Sequence, residues 1–110
     1  MMFMLISDIM MLRMLQVTVH AGGVSQHQLE VSNTTRQDAT YTTSTNAPWL
    51  LSVSPSDPQL VRAGTKRALT LVCDARALAP GATECGLVFI SDAQSSLQHE
   101  ECVVVTVHAV

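Results

Sequence analysis

From residue 15 onward apolar side chains recur at every second position, and no stretch of ten residues keeps a helical period. That pattern restricts the chain to sheet. Leu15, Val17, Val19 and Ala21 alternate with Gln16, Thr18 and His20, and Gly22-Gly23 stops the run. Leu29 and Val31 alternate with Gln28, Glu30 and Ser32 in a second strand that ends near Asn33. After a polar loop over Thr34 to Asp38, Thr40 to Thr45 reads as a threonine-rich strand with one aromatic, Tyr41. Asn46-Ala47-Pro48 breaks the chain again. Trp49, Leu51 and Val53 then point one way from a short strand stopped by Pro55 and Pro58.

The second half repeats this rhythm. Leu60-Val61 precedes the turn Ala63-Gly64-Thr65, Leu69, Leu71 and Cys73 share a face, and Ala79-Pro80-Gly81 signals a loop. Cys85 to Ile90 and Cys102 to Val110 are apolar on both faces, as central strands are, and the polar stretch Ser91 to Glu101 connects them. Seven or eight short strands with a turn every 8–12 residues predict an all-β fold, an immunoglobulin-like antiparallel β-sandwich over residues 15–110. A small closed barrel is the alternative. Thirteen valines, eleven threonines and three isoleucines supply the β-branched residues such a fold needs. Trp49 and Phe89 are expected between the sheets.

The first 14 residues contain all six methionines. They are expected to extend the first strand or to be the stump of a longer chain cut before this domain. Asp8 and Arg13 interrupt the apolar run too early for a membrane span, and no positive segment precedes it as in a signal peptide. Three cysteines, Cys73, Cys85 and Cys102, show no C-x-x-C spacing, which favours buried free thiols in a reducing, intracellular compartment over disulfides or zinc. Asn33-Thr34-Thr35 fits the N-glycosylation pattern, which matters only after secretion.

Chemistry is hard to find. With six basic residues, nine acidic ones and a single lysine, the chain has no basic stripe for nucleic acid. His20 and His108 fall on terminal strands, but no third ligand with defined spacing accompanies them, so no metal and no cofactor is expected. No nucleophile motif is present. Adjacent strand residues point to opposite faces, so Glu100 and Glu101 cannot act together on a substrate and read as a solvated charge pair. Asp92 reads as a turn cap. An enzyme is disfavoured on these grounds.

A resemblance adds to this reading. Leu29-Glu30-Val31-Ser32-Asn33-Thr34, Trp49-Leu50-Leu51-Ser52-Val53, Ala63-Gly64-Thr65, Pro80-Gly81 and Gly86-Leu87-Val88-Phe89-Ile90-Ser91-Asp92 resemble successive segments of domains related to major sperm protein and the PapD chaperone. The closing Glu100-Glu101-Cys102-Val103-Val104-Val105-Thr106-Val107 is similar to the end of the C-terminal immunoglobulin-like domain of the nephrocystin-4 family. The family's usual Phe-x-Pro is missing after Val72-Cys73-Asp74, and Gln94-Ser95-Ser96 stand where its acidic loop carries charge. The resemblance implies a non-catalytic scaffold module at the ciliary transition zone and basal body. Its implied partners are other ciliary scaffold proteins of the nephrocystin type. A peptide-capture or cytoskeletal assembly module of the major-sperm-protein type is the alternative.

Two surfaces qualify for partner binding. Thr40, Tyr41, Thr42, Thr43, Ser44 and Thr45 form a β-prone, uncharged segment too polar for a central strand, which makes it the expected sheet edge for a partner strand. Lys66-Arg67 is the only basic doublet and the candidate contact for an acidic partner.

Overall fold

The computed structural model describes residues 10–92 and 100–110, and the strands in them make two stacked sheets. In chain order these are β1 (Met10–Val19), β2 (Val24–Ser32), β3 (Ala39–Thr45), β4 (Leu51–Ser54), β5 (Gln59–Val61), β6 (Lys66–Asp74), β7 (Thr83–Asp92) and β8 (Glu100–Ala109). Five of them form one sheet in the order β1-β8-β7-β3-β5, and three form the other in the order β2-β6-β4. The fold is the expected immunoglobulin-type sandwich, and no described helix is long and apolar enough to cross a membrane. One pair departs from the antiparallel rule: β1 runs parallel to β8, with Leu15 opposite Val105 and Val19 opposite Ala109. Such a pair needs a long connection, which here is the rest of the domain. Met10 to Met14 are the first half of β1, while residues 1–9 lie outside the described residues.

Alternation explains which sheet face is dry. Val17, Val19, Leu29, Val31, Leu69 and Leu71 are buried at the positions their period-two pattern assigns to the core. β7 and β8, apolar on both faces, are flanked by strands on both sides. Gly22, at φ +81, turns the chain out of β1 toward the opposite sheet, a conformation that side-chain-bearing residues rarely adopt.

The aromatic expectations need correction. Trp49 lies in the turn before β4 and is 50% exposed, while its neighbour Leu50 is fully buried. That turn is set when the amides of Leu50 and Leu51 both bond to the Ala47 carbonyl. Phe89 takes the outer face of β7, since Val88 and Ile90 take the inner one with no exposure. Gly86 fixes this parity: a Cβ there would lie 2.6 Å from Leu51 Cδ1 and 3.0 Å from Ala47 Cβ. Only the strand face carrying Gly86 admits the opposite sheet so closely.

Two buried polar groups organise the ends of the sandwich. Asn33 is 1% exposed and its amide is fully engaged. Its Nδ2 donates to the carbonyls of Gln37 (2.8 Å) and Val61 (2.9 Å), and its Oδ1 accepts from the amide and hydroxyl of Thr35. The glycosylation pattern at this residue is therefore closed off by the fold, because both Nδ2 protons are committed. Glu101, expected to be solvated, is instead 7% exposed and pairs with Arg13 at 2.7 Å. Arg13 also donates to the Glu30 carbonyl at 2.9 Å, so one guanidinium ties β1, β8 and β2 together. Nearby burial, with Asp92 and Glu101 behind it, raises the Tyr41 pKa.

Two stability outcomes are expected. Asn33→Ala removes the partners of two carbonyls and is expected to lower the unfolding free energy by about 2–3 kcal/mol in urea melts. Arg13→Ala strands the Glu101 carboxylate and is expected to cost about 2 kcal/mol, discounted because the guanidinium is partly exposed. The double change Arg13→Met with Glu101→Leu is expected to recover most of that loss. If it melts no higher than Arg13→Ala alone, the pair is not what holds β1 in place.

Candidate functional site

The open part of the molecule is the side of the sandwich where β3 and β4 face each other. β3 pairs with β5 only through Ala39, Thr40 and Tyr41, and with β7 through Tyr41 to Thr45. β5 is three residues long because Pro58 precedes it and cannot donate to a ladder. Past Tyr41, therefore, one side of β3 lies along no described strand. In an antiparallel strand alternate N–H and C=O groups point to each side, so this stretch presents backbone groups away from β7.

The expected edge over Thr40 to Thr45 is thus shortened. Thr40 lies opposite Leu60, and Tyr41 lies between Gln59 and Asp92, so both are inside the sheet. Thr42, Thr43, Ser44 and Thr45 keep the open side. Polarity misled the edge assignment because these threonines need no dry environment: Thr43 and Thr45 are half-buried beside a groove. The groove is about 210 Å³ and is lined by Thr43, Thr45, Pro48, Leu51, Val53 and Ser56, among others. Sequence reasoning missed its β4 wall, and the signal was available in Pro55 and Pro58, which cut the next strand short.

Local bonds hold this edge in register. Thr45 Oγ1 donates to the Leu87 carbonyl at 2.8 Å and accepts from the Ala47 amide at 3.1 Å. Asn46 Oδ1 accepts from the Leu87 amide at 2.8 Å. The strand end beside the groove is therefore rigid before any partner arrives, which lowers the ordering cost of binding.

The basic doublet divides. Lys66 reaches Glu30 across the three-stranded sheet at 3.7 Å, while Arg67 donates to the Leu60 carbonyl of the other sheet at 3.1 Å. With Arg62 they rim a hollow of about 350 Å³ that also touches Leu60 and Thr65. Both bridges are solvent-exposed and worth little in stability, so the cations stay available to an acidic group.

Nothing among the described residues gathers three His, Cys, Asp or Glu side chains. His108 Nδ1 shares a hydrogen bond with Thr83 Oγ1 at 2.8 Å, and His27 Nε2 with Ser25 Oγ at 2.7 Å. Asp92, expected to cap a turn, ends β7 within the sheet. Asp74 is held at about 2 by hydrogen bonds from Arg76. The cysteines differ in a way the sequence did not suggest: Cys73 and Cys102 are buried, but Cys85 is exposed, its sulfur 3.2 Å from Thr106 Oγ1.

Comparisons with known proteins fit this geometry. No protein-family model matches the chain, and no curated protein matches it by sequence. Solved structures do match. The PapD-like domain 7 of human CEP192 superposes with a TM-score of 0.68 at 14% identity, covering 89% of this chain and 81% of that one. SSP-19 of Caenorhabditis elegans, like an MSP-domain family member, gives 0.60 at 9% identity over 86% and 94%. The CsuC–CsuE chaperone–tip subunit complex of Acinetobacter baumannii gives 0.65 at 15% over 87% and 53%. The fold is that of PapD-like and MSP-like domains. The chain spans about half the length of the matched chaperone-complex chain.

Burial pushes the Cys73 thiol up to about 11, so at pH 8 it stays protonated as well as shielded. Native protein treated with iodoacetamide at that pH is expected to be modified first at Cys85, and at all three cysteines once denatured. Peptide mass spectrometry reads the order; early modification of Cys73 would show that the core at β6 is open.

Proposed function

We propose that the chain is a non-catalytic protein-interaction module that takes a partner strand along Thr42 to Thr45. The observation that carries this reading is the unpaired side of β3 beside an apolar-walled groove. A strand laid there gains main-chain hydrogen bonds from β3, and its alternate side chains meet Pro48, Leu51 and Val53. The matched structures support the fold of such a module, and one of them is a chaperone bound to a pilus subunit.

The finer reading is a nephrocystin-4-like scaffold at the ciliary transition zone and basal body, with other nephrocystin-type proteins as partners. Its support is the similarity of the segment now seen as β8, from Glu100-Glu101-Cys102 through Val107, together with the β7 segment Gly86 to Asp92. Thr43→Pro removes an N–H that the register turns away from β7, on the open side of β3, and is expected to reduce recovery of basal-body proteins from ciliated-cell extracts. Val105→Pro, in the buried strand β8, is expected to unfold the domain. If Thr43→Pro melts like the wild type and still recruits those proteins at wild-type levels, the β3 edge is not the docking surface.

The second reading, peptide capture of the major-sperm-protein type, is favoured by the hollow that Arg62, Lys66 and Arg67 share. The two readings separate by ionic strength. Binding of an acidic peptide at the basic hollow weakens steeply with salt, and strand addition at the uncharged β3 edge does not.

A further inference from the structure

The register of β3 decides which of its groups a partner strand meets. The Asn46 amide bonds to the Leu87 carbonyl, so in this antiparallel ladder Ser44 and Thr42 also bond to β7. Thr43 and Thr45 therefore turn their N–H and C=O groups away from it. Tyr41 has the same parity and meets Gln59 of β5, so the bonding positions that β5 leaves uncovered are those of Thr43 and Thr45. Side chains follow the same alternation. Tyr41 is buried in the core, and Thr43 and Thr45 share its face and line the groove, whereas Ser44 is exposed on the outer face.

Across the groove stand Pro48, the buried Leu51 and the half-buried Val53. The rest of its lining is serine and threonine, and no charged side chain among the described residues lines it. The Thr45 hydroxyl is already engaged by the Leu87 carbonyl and the Ala47 amide. The charges at the margin are acidic: Asp57 follows Ser56, and Asp92 lies opposite Tyr41. At about 210 Å³ the groove is smaller than the ~300 Å³ at which small-molecule pockets begin. Its size suits side chains delivered on a strand.

We propose that this edge selects its partner by an apolar–polar–apolar triplet, running antiparallel to β3 with the two apolar side chains opposite Thr43 and Thr45. This rests on the strand-addition reading and adds the chemistry of the partner to it. In an antiparallel ladder each of those threonines exchanges both main-chain bonds with the residue opposite, so the triplet makes about four hydrogen bonds. Its two outer side chains take the face of Thr43 and Thr45 and enter the groove toward Leu51 and Val53. The middle one stands beside Ser44, in water. A carboxylate or ammonium carried into the groove loses its water and meets no counter-charge there, and a carboxylate also approaches an acidic margin. The edge therefore rejects the acidic segments that the hollow of Arg62, Lys66 and Arg67 attracts. A second copy of β3 fits it poorly, because Thr43-Ser44-Thr45 brings hydroxyls instead of apolar groups to Leu51 and Val53.

Nuclear magnetic resonance of the isotope-labelled full chain, titrated to millimolar with the capped peptide Gly-Ser-Thr-Val-Thr-Val-Thr-Ser-Gly, tests the proposal. Shifted and more slowly exchanging amides are expected at Thr43 and Thr45, with Leu71 of β6 unmoved. Replacing both valines of the peptide by serine is expected to weaken binding at least about tenfold, and replacing both by aspartate to abolish it. Replacing the threonine between them by lysine is expected to change it less than about twofold. Because only the peptide varies, the fold of the protein is not at stake. Peptides that all bind alike to the wild type and fail on Thr43→Pro overturn the selectivity while strand addition stands. No response at Thr43 and Thr45 to any peptide overturns both. Protection of those two amides that grows with protein concentration in the absence of peptide assigns the edge to a second copy and overturns the proposal.

Discussion

The buried amide of Asn33 is the contact on which the shape of the candidate edge depends. It sits where β2 leaves the three-stranded sheet, and its Nδ2 grips the Val61 carbonyl at the end of β5, in the other sheet. The backbone of the same residue bonds to the 62–65 turn from both sides, accepting from Gly64 and donating to Thr65. Asn33 therefore fixes where β5 lies, and β5 in turn decides how much of β3 is covered. Because Pro58 limits β5 to three residues, coverage stops at Tyr41. The open stretch beyond it results from one hydrogen-bonded amide and one missing N–H.

Much of this was legible in the sequence, and the failures share a cause. Strand positions followed from period-two alternation, since Val17, Val31 and Leu71 lie where that pattern puts them. Parity was lost wherever both faces were apolar. In β7 the eye goes to Phe89, but the decisive residue is Gly86, whose missing side chain makes room for Leu51 and Ala47. Trp49 failed for a different reason: a turn around Ala47 delays the start of β4 and hands the core position to Leu50. Glu101 was readable in principle. It has the parity of Val103 and Val105, while Arg13 has that of Leu15 and Val17, so two opposite charges aim at one core. What alternation does not encode is which strands meet across the sheet, and without the β1–β8 pairing the two charges had no reason to be matched.

Sheet edges tell how the molecule limits unwanted pairing. β4 and β5 are short and bounded by prolines, two devices that blunt an edge. On the opposite side Arg13 spans from β1 to the β2 backbone and stitches the two sheets together there. With the four edge strands so managed or tied, the stretch Thr42 to Thr45 that β5 leaves uncovered stands out because nothing comparable guards it. It carries no charge, no proline and no bulge, and the strand is anchored at its far end by Thr45 and Asn46. An exposed edge left in this state is either a liability or a binding surface, and the rigid flanking turn argues for the second.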